Sequence, residues 1–367
     1  MANFLILLLC LSALQRMALT LASLFAPKHM GEESAVPTVQ VLVAARNEEG
    51  SLGRLFRCLE LLDYPPEKLS FILVSDGSQD QTAAMLQAWC AARKNAQSIE
   101  LKQNLGKAAA LEIARRAAPS AELTAIYDAD VYPEPAALRR LAMPFADPAI
   151  GGTTGVVLPD NAGASMVSRY AALELYVFHL VVQASRNRLG WNPPLIGANC
   201  MYRSEALAQI GGFQQEISED VATSFAVIRR GWRTSSRQDA VVRTQVPETL
   251  GWFWRQRQRW TRGLYRSAGN AVGFTSWMVA AGYADRLVLL AVAVAAIFGM
   301  LSPYWLLIYF LGPCLAVLIA LRRSGESGAL SFLAACPPMF LVDVLSTLAG
   351  TMASLRPGKS KWLTKRG

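Results

Sequence analysis

The segment AIYDADVYPEP, residues 125–135, joins an apolar run to two aspartates and a proline-containing turn. The apolar run begins at Leu123 and predicts a buried strand, since a short apolar stretch bounded by turn residues is typical of the interior of a parallel sheet. Asp128 and Asp130 follow where this strand meets solvent. Because neighbouring carboxylates repel each other, the pattern indicates a bound cation, and hard divalent ions such as Mg²⁺ or Mn²⁺ prefer oxygen ligands. The alternative is a pair of solvated carboxylates in a turn.

Three earlier apolar runs predict further strands of the same sheet. They are residues 39–45, residues 71–75 and a weaker run at 99–101. Each leads into residues with helical spacing, and strands that alternate with helices of this length predict an α/β fold with a mostly parallel sheet. Ligands bind beyond the carboxyl ends of such strands. Polar clusters occur at these ends and predict a single cleft: residues 46–48, 76–78 and 128–130.

The composition narrows the choice of ligand and compartment. The 367 residues carry a formal net charge of +9, which suits an anionic ligand or an anionic membrane surface. No nucleic-acid-binding motif accompanies this charge, and neither a G-x-G-x-x-G sequence after the first strand nor a Walker A sequence occurs. Six scattered cysteines without a C-x-x-C pair argue against a zinc or disulfide framework. We therefore expect a reducing compartment and no nucleic-acid partner.

Long apolar segments near both ends of the sequence predict membrane helices. Residues 4–26 are long enough to span a bilayer and predict an anchor, with a helix lying in the interface as the alternative. Residues 287–300 and 304–321 have the pattern of a hairpin of spans. Residues 329–353 contain two prolines and one aspartate, and could cross the membrane or re-enter it.

These features divide the sequence into five regions. In order, they are an N-terminal membrane anchor (1–30), a cytosolic domain (36–250), an amphipathic interfacial segment (251–285), a C-terminal transmembrane region (286–353) and a basic tail (354–367). The tail should stay in the cytosol by the positive-inside tendency, whereas three complete spans after a cytosolic domain would place it outside. The number of C-terminal crossings therefore stays open.

A second acidic cluster, Ser218-Glu219-Asp220, precedes a run with helical spacing. Ser218 as N-cap, with acids in the first turn, would stabilise that helix by about 0.5–2 kcal/mol. The functional alternative makes Asp220 a general base that takes a proton from a hydroxyl group. Both roles are compatible, since Glu219 could cap the helix while Asp220 faces the cleft.

Residues 251–266, GWFWRQRQRWTRGLYR, combine arginines with aromatic residues. This composition is typical of a helix at a membrane interface, with indoles at headgroup depth and guanidiniums on phosphates. Gln256, Arg259 and Trp260 lie at i, i+3 and i+4 and therefore share one face. On that face Arg259 could neutralise a diphosphate, and Trp260 could stack on a sugar ring.

Six motifs taken together resemble one family. In order they read AARNEE, SDGSQD, NLGKAAAL, YDAD, SEDVATSFAVIRRGW and QRQRW. Their order and spacing are similar to those of the membrane-bound family-two glycosyltransferases, which include cellulose, hyaluronan, chitin and poly-N-acetylglucosamine synthases and ceramide glucosyltransferases. The resemblance covers about residues 36–266. It implies a Rossmann-like domain of the nucleotide-diphospho-sugar transferase type A fold, with a mostly parallel sheet, together with transmembrane and interfacial helices.

The resemblance implies a donor site at the strand ends. Glu48 and Asp76 would line the uracil and ribose pocket of a UDP-sugar. Lys107 would approach a phosphate, and Asp128 would lie beside the donor. Asp130 would coordinate the metal ion, Mg²⁺ or Mn²⁺.

The resemblance also implies a mechanism. Asp220 stands at the position of the catalytic base in the family's T-E-D motif. Gln256, Arg259 and Trp260 fill the Q-x-x-R-W motif, which in the family closes over the donor diphosphate and the acceptor end. Such enzymes transfer one sugar with inversion in a single displacement, so no covalent nucleophile is needed.

The sequence departs from the family pattern in places. Ser75 precedes Asp76 where many members have two acids, which weakens the assignment of Asp76 to uracil. Ser218 replaces the usual threonine and keeps a hydroxyl group. Residues 197–203, GANCMYR, occupy the acceptor region, and Gly197 either permits close approach of the backbone to a ligand or serves a turn.

The implied partners follow from this family. They are a UDP-sugar donor, a polysaccharide or lipid acceptor, membrane lipids, and either a synthase-complex subunit or a second copy of the chain. We expect an integral protein of the bacterial inner membrane with its catalytic domain in the cytosol. The alternative function is a non-catalytic nucleotide-sugar-binding subunit of a membrane polysaccharide synthase complex.

Overall fold

The computed structural model describes residues 2–25, 36–117, 121–216, 218–268, 286, 288–302 and 304–354. The predicted basic tail, apart from residue 354, and residues 269–285 of the predicted interfacial segment lie outside these ranges. Contacts within the chain separate two units. The sheet unit comprises Lys28–Asp160 and Asn192–Gln245, and the helical unit comprises Met1–Pro27, Asn161–Trp191 and Val246–Pro357.

Within the described residues, eight strands form one sheet in the sheet unit. They are β1 (Val39–Ala45), β2 (Leu69–Asp76), β3 (Ala96–Leu101), β4 (Leu123–Tyr127), β5 (Val131–Pro133), β6 (Ile150–Pro159), β7 (Asn199–Arg203) and β8 (Arg233–Thr244). Their order across the sheet is β3-β2-β1-β4-β7-β6-β8-β5. The first four in this order run parallel, β7 is antiparallel to both neighbours, β6 is parallel to β8, and β5 is antiparallel to β8. The predicted α/β fold with a mostly parallel sheet is confirmed.

Helices lie before, between and after the strands along the chain. They are α1 (Ala2–Leu24), α2 (Glu49–Glu60), α3 (Thr82–Ala91), α4 (Lys107–Ala117), α5 (Ala137–Ala142), α6 (Met166–Val177), α7 (Ala184–Arg188), α8 (Ser204–Gln209), α9 (Glu219–Arg229), α10 (Leu250–Ala268), α11 (Val288–Ile297), α12 (Tyr304–Ser324) and α13 (Ala329–Ser354). In the sheet unit, α2, α3 and α4 each connect two parallel strands, which is the predicted crossover arrangement.

The central strand β1 is buried along its whole length. Its side chains alternate between two hydrophobic clusters: Val41 and Val43 belong to one, and Leu42 and Ala44 to the other. A strand buried on both faces needs a continuous apolar run, which is why the sequence shows no alternation here. Because β1, β2 and β4 run parallel, their carboxyl ends meet at one edge of the sheet, and the polar clusters follow there.

Among its described residues, the helical unit contains three helices long and apolar enough to cross a membrane: Asn3–Leu24, Leu307–Ser324 and Ala329–Ser354. The helix α11 is apolar but shorter. Residues 329–354 form one continuous helix through Pro337 and Pro338, so the described structure has the length of a crossing there and not the shape of a re-entrant loop. Residues 161–191, which the sequence placed within the cytosolic domain, cluster with this unit.

Candidate active site

Backbone and side-chain hydrogen bonds join the ends of β1 and β2. The amide of Gln79 donates to Asn47 Oδ1 at 2.9 Å, and the amide of Asn47 donates to Ser78 Oγ at 3.3 Å. Asn47 has a φ of 53°, a left-handed conformation that asparagine tolerates better than most residues. The amide of Glu48 donates to Thr82 Oγ1 at 2.8 Å, which fixes Glu48 at the strand end where the sequence predicted it.

Asp76, at the end of β2, is fully buried and holds the loop before α4. Its Oδ1 accepts the amide of Leu105 at 2.7 Å and its Oδ2 accepts the amide of Gly106 at 2.9 Å. Gly77 has a φ of 64°, and a Cβ there would lie 2.5 Å from the amide nitrogen of Asn104. The Asp76 carboxylate therefore fixes the loop that ends at Lys107, the first residue of α4.

Lys107 joins acids from two distant parts of the chain. Its Nζ lies 2.6 Å from Asp128 Oδ1 and 2.6 Å from Glu219 Oε1. Burial alone would lower the pKa of Lys107, but the carboxylates of Asp128, Glu219 and Asp220 hold it well above its usual value. The lysine is therefore a permanent positive charge within an acidic cluster.

Glu219 and Asp220 begin α9, and both face this cluster. Burial raises the pKa of Glu219, while the Lys107 ammonium opposes that rise. Asp220 Oδ2 accepts the amide of Gly197 at 3.0 Å, and its Oδ1 accepts the amide of Val221 at 2.8 Å. Ser218 occupies the N-cap position, but its side chain makes no capping hydrogen bond. The carboxylate of Glu219 is thus held by Lys107, and that of Asp220 by neighbouring backbone amides. Side-chain capping of α9 by Ser218, the alternative that the sequence offered, is not observed.

Residues 128–130, the D-x-D segment formed by Asp128, Ala129 and Asp130, form a turn. The amide of Val131 donates to the carbonyl oxygen of Asp128 at 3.1 Å, and Thr244 Oγ1 donates to the carbonyl oxygen of Asp130 at 3.2 Å. An extended segment would place both carboxylates on one side, but residues 128–130 are not extended, because this turn separates β4 from β5. Asp128 reaches Lys107, whereas the Asp130 backbone is anchored to β8.

The described residues contain no group of three or more His, Cys, Asp or Glu side chains arranged to hold a metal. A nucleotide-bound Mg²⁺ or Mn²⁺ does not require one, because such ions keep several waters and bind one or two carboxylates together with substrate phosphates. Asp128 and Asp130 present carboxylate oxygens, the donor type that an ion arriving with a diphosphate takes.

Gly197, just before β7, lies against both Lys107 and Asp220. A Cβ at this position would be 3.0 Å from Lys107 Nζ and 3.1 Å from Asp220 Cβ. The close backbone approach that the sequence offered as one role of Gly197 is therefore present. The sequence offered Glu219 only as a helix cap, whereas its carboxylate pairs with Lys107 in the cluster. Its adjacency to Asp220 was the available signal for that second role.

Gln256, Arg259 and Trp260 belong to the helical unit, on α10. This segment is one continuous helix, so the predicted helical spacing is confirmed. The Arg257 guanidinium lies 4.9 Å from the centroid of the Trp260 ring and 4.7 Å from that of Phe253. Arg257 is thus in contact with one residue of the Q-x-x-R-W motif.

The mostly parallel sheet has the fold of the nucleotide-diphospho-sugar transferases of type A. Residues 37–263 match the family described as "Glycosyltransferase like family 2". This match extends over more than half of the chain, and the protein belongs to that family.

Curated relatives agree with this assignment. The chain is 27% identical over 242 residues to "Probable glycosyltransferase YdaM" of Bacillus subtilis, a match covering 65% of this chain and 57% of the relative. It is 29% identical over 248 residues to an "N-acetylglucosaminyltransferase" of Rhizobium meliloti, covering 64% and 57%. It is 28% identical over 229 residues to "Poly-beta-1,6-N-acetyl-D-glucosamine synthase" of Staphylococcus aureus, covering 61% and 54%. The matches thus extend over little more than half the length of these relatives.

A solved structure resembles nearly the whole chain. It is the mannosyltransferase PcManGT from Pyrobaculum calidifontis in complex with GDP-Man and Mn²⁺, with a TM-score of 0.63 and 19% identity. The match covers 97% of this chain and 99% of that one. At this identity the similarity establishes the fold.

Proposed function

We propose that this protein is a membrane-bound inverting glycosyltransferase. It moves a hexose or an N-acetylhexosamine from a UDP-sugar to a polysaccharide or lipid acceptor, with its catalytic domain in the cytosol and its helices in the bacterial inner membrane. The observation that carries this proposal is the convergence of Asp128, Glu219 and Asp220 around Lys107 at the strand ends. Curated relatives named as N-acetylglucosaminyl transferring enzymes favour UDP-N-acetylglucosamine as the first donor to test.

The donor would bind across the joined strand-end loops. Glu48 and Asp76 belong to the loops that would enclose the uridine, and Lys107 supplies a positive charge for a phosphate. Asp128 would lie beside the donor, and Asp130 would coordinate Mg²⁺ or Mn²⁺, which would supply charge neutralisation for the diphosphate. The mannosyltransferase of similar fold was solved with Mn²⁺ and a nucleotide sugar, which supports testing Mn²⁺ first.

Asp220 would be the general base. Two backbone amides hold its carboxylate, and each oxygen keeps a further lone pair that can accept a proton. In the proposed step the acceptor oxygen forms a bond to the anomeric carbon while the bond from that carbon to the UDP diphosphate breaks. The hydroxyl proton moves to Asp220, and one displacement inverts the anomeric centre. Gln256, Arg259 and Trp260 would act on the diphosphate and the acceptor end, as in the family the chain resembles.

Release of UDP by the purified full-length protein in detergent tests this proposal, with Mn²⁺ present and UDP-N-acetylglucosamine, UDP-glucose and GDP-mannose compared. We expect turnover with a UDP-sugar, and a loss of about 10²–10⁴-fold in kcat for Asp220→Asn with little change in UDP affinity. Turnover that persists in Asp220→Asn would remove Asp220 from this role. Tight UDP binding without turnover on any donor would instead favour the non-catalytic subunit.

A further inference from the structure

Four charged side chains form a closed arrangement inside the helical unit, which we call the charge ring: Glu174 of α6, Arg257 of α10, Arg286, and Asp343 of α13. Arg286 Nε lies 2.6 Å from Asp343 Oδ2, and Arg286 Nη2 lies 3.2 Å from Glu174 Oε1. Arg257 pairs with Glu174 Oε2, and its Nε lies 3.7 Å from Asp343 Oδ1. Each guanidinium therefore contacts both carboxylates.

Two members of the charge ring are shielded from solvent, whereas Arg286 and Glu174 are 19% and 20% exposed. The side chain of Asp343 is 1% exposed and that of Arg257 is 7% exposed. Asp343 is the one charged residue of α13, a helix otherwise apolar enough to cross a membrane. A carboxylate in such surroundings is strongly unfavourable unless cations pair with it. The axial position of α13 at which Asp343 reaches the two arginines is therefore favoured over positions shifted along the helix.

A second contact joins α10 and α13. Gly350 lies seven residues beyond Asp343 on α13, about 10 Å along the helix axis and on the same side. A Cβ at Gly350 would be 2.8 Å from Thr261 Cβ and 3.2 Å from Gln258 Cα. The backbone of α13 thus touches α10 one turn beyond Arg257. Two separate contacts restrain both the axial position and the rotation of α10.

The face of α10 that contacts α13 adjoins the face that carries Gln256, Arg259 and Trp260. Phe253, Arg257 and Thr261 are buried and recur every four residues, which defines the restrained face. Trp260 lies next to it and contacts the Arg257 guanidinium, and Gln256 precedes Arg257 directly. A rotation of α10 that broke the charge ring would therefore redirect the motif side chains.

We infer that Arg257 and Asp343 are positioning residues, which together with Gly350 set the rotation of α10 and so the direction in which Gln256, Arg259 and Trp260 project. This inference rests on the proposed function for its catalytic consequence. Its structural content, a rotation of α10 set by α13, holds for any activity of the chain.

The test compares Asp343→Asn and Gly350→Ala with the unchanged protein, purified at full length in detergent. We expect kcat to fall about tenfold or more while UDP affinity stays within about threefold, because the proposed uridine residues belong to the sheet unit. Asp343→Glu keeps the charge and should recover a large part of kcat. The matched controls are Glu326→Gln, an acid of the helical unit that pairs with Tyr176, and Gly163→Ala, where a Cβ meets nothing within 4 Å.

Hydrogen exchange of α10 amides separates this inference from the proposed function. Both variants should exchange faster across residues 250–268 than the unchanged protein, even if no donor is turned over. Unchanged exchange in α10, or unchanged kcat in both variants, would overturn the inference. A loss of kcat that merely follows a loss of folded protein in Asp343→Asn, with Gly350→Ala fully active, would also overturn it.

Discussion

The amide of Gly197 donates a 3.0 Å hydrogen bond to Asp220 Oδ2. This bond fixes the proposed base against the backbone before β7. A side chain at position 197 would crowd both groups, because a Cβ there would lie 3.0 Å from Lys107 Nζ and 3.1 Å from Asp220 Cβ.

Gly197→Ala should therefore displace either the lysine or the base. We expect a loss of about 10–100-fold in kcat/KM, measured by UDP release, with the melting temperature nearly unchanged. Gly53→Ala is the control, since a Cβ there meets nothing within 4 Å and alanine favours the interior of α2. Full activity of Gly197→Ala would show that the close approach has no catalytic role.

Lys107→Met should change the pH profile as well as the rate. The Lys107 ammonium opposes the rise in pKa that burial imposes on Glu219, so its removal should raise that pKa further. A carboxylate with a higher pKa becomes protonated at a higher pH. The acid limb of the kcat/KM profile should therefore move to higher pH, and the donor KM should rise about tenfold or more.

Lys107→Arg provides the comparison, because it retains the charge. It should keep the acid limb close to that of the unchanged protein even if the donor KM rises. An acid limb that stays in place in Lys107→Met would separate Glu219 from the reaction.

Asp76→Asn should weaken phosphate binding through the loop that Asp76 holds. Asparagine can accept only one of the two amides, from Leu105 and Gly106, that the carboxylate accepts, and a lost buried hydrogen bond to a charged group costs about 1.5–3 kcal/mol. We expect titration to show weaker binding of UDP and of pyrophosphate alike, because Lys107 follows this loop. Weaker binding of UDP alone would instead assign Asp76 to the uracil base.

Tyr127→Phe should leave the stability unchanged or raise it by up to about 1 kcal/mol. Tyr127 is fully buried at the end of β4, and among the described residues its hydroxyl has no hydrogen-bond partner. Tyr64→Phe should lower the stability by about 1 kcal/mol, because the Tyr64 hydroxyl donates to the carbonyl oxygen of Pro37 at 2.6 Å. Thermal unfolding in detergent compares the two, and equal effects would contradict the assignment of partners.

Much of the fold was predictable from the sequence. The apolar runs that became β1, β2 and β4 are buried on both faces, and the apolar positions of α2 recur at helical spacing, so each element has a local pattern. Strand ends are equally local, which is why Glu48, Asp76 and Asp128 were expected at one edge of the sheet. The order of six motifs then identified the family.

Tertiary structure alone decided which charges meet. Lys107 pairs with Glu219, and Arg257 with Glu174 and Asp343, across long stretches of chain whose spacing carries no periodic signal. It also decided that the D-x-D segment turns, since the anchoring of Asp130 to Thr244 depends on a strand that arrives much later in the chain. The physical reason is range: helical and strand periodicity reports burial of neighbouring residues, whereas an ion pair depends on where distant elements pack.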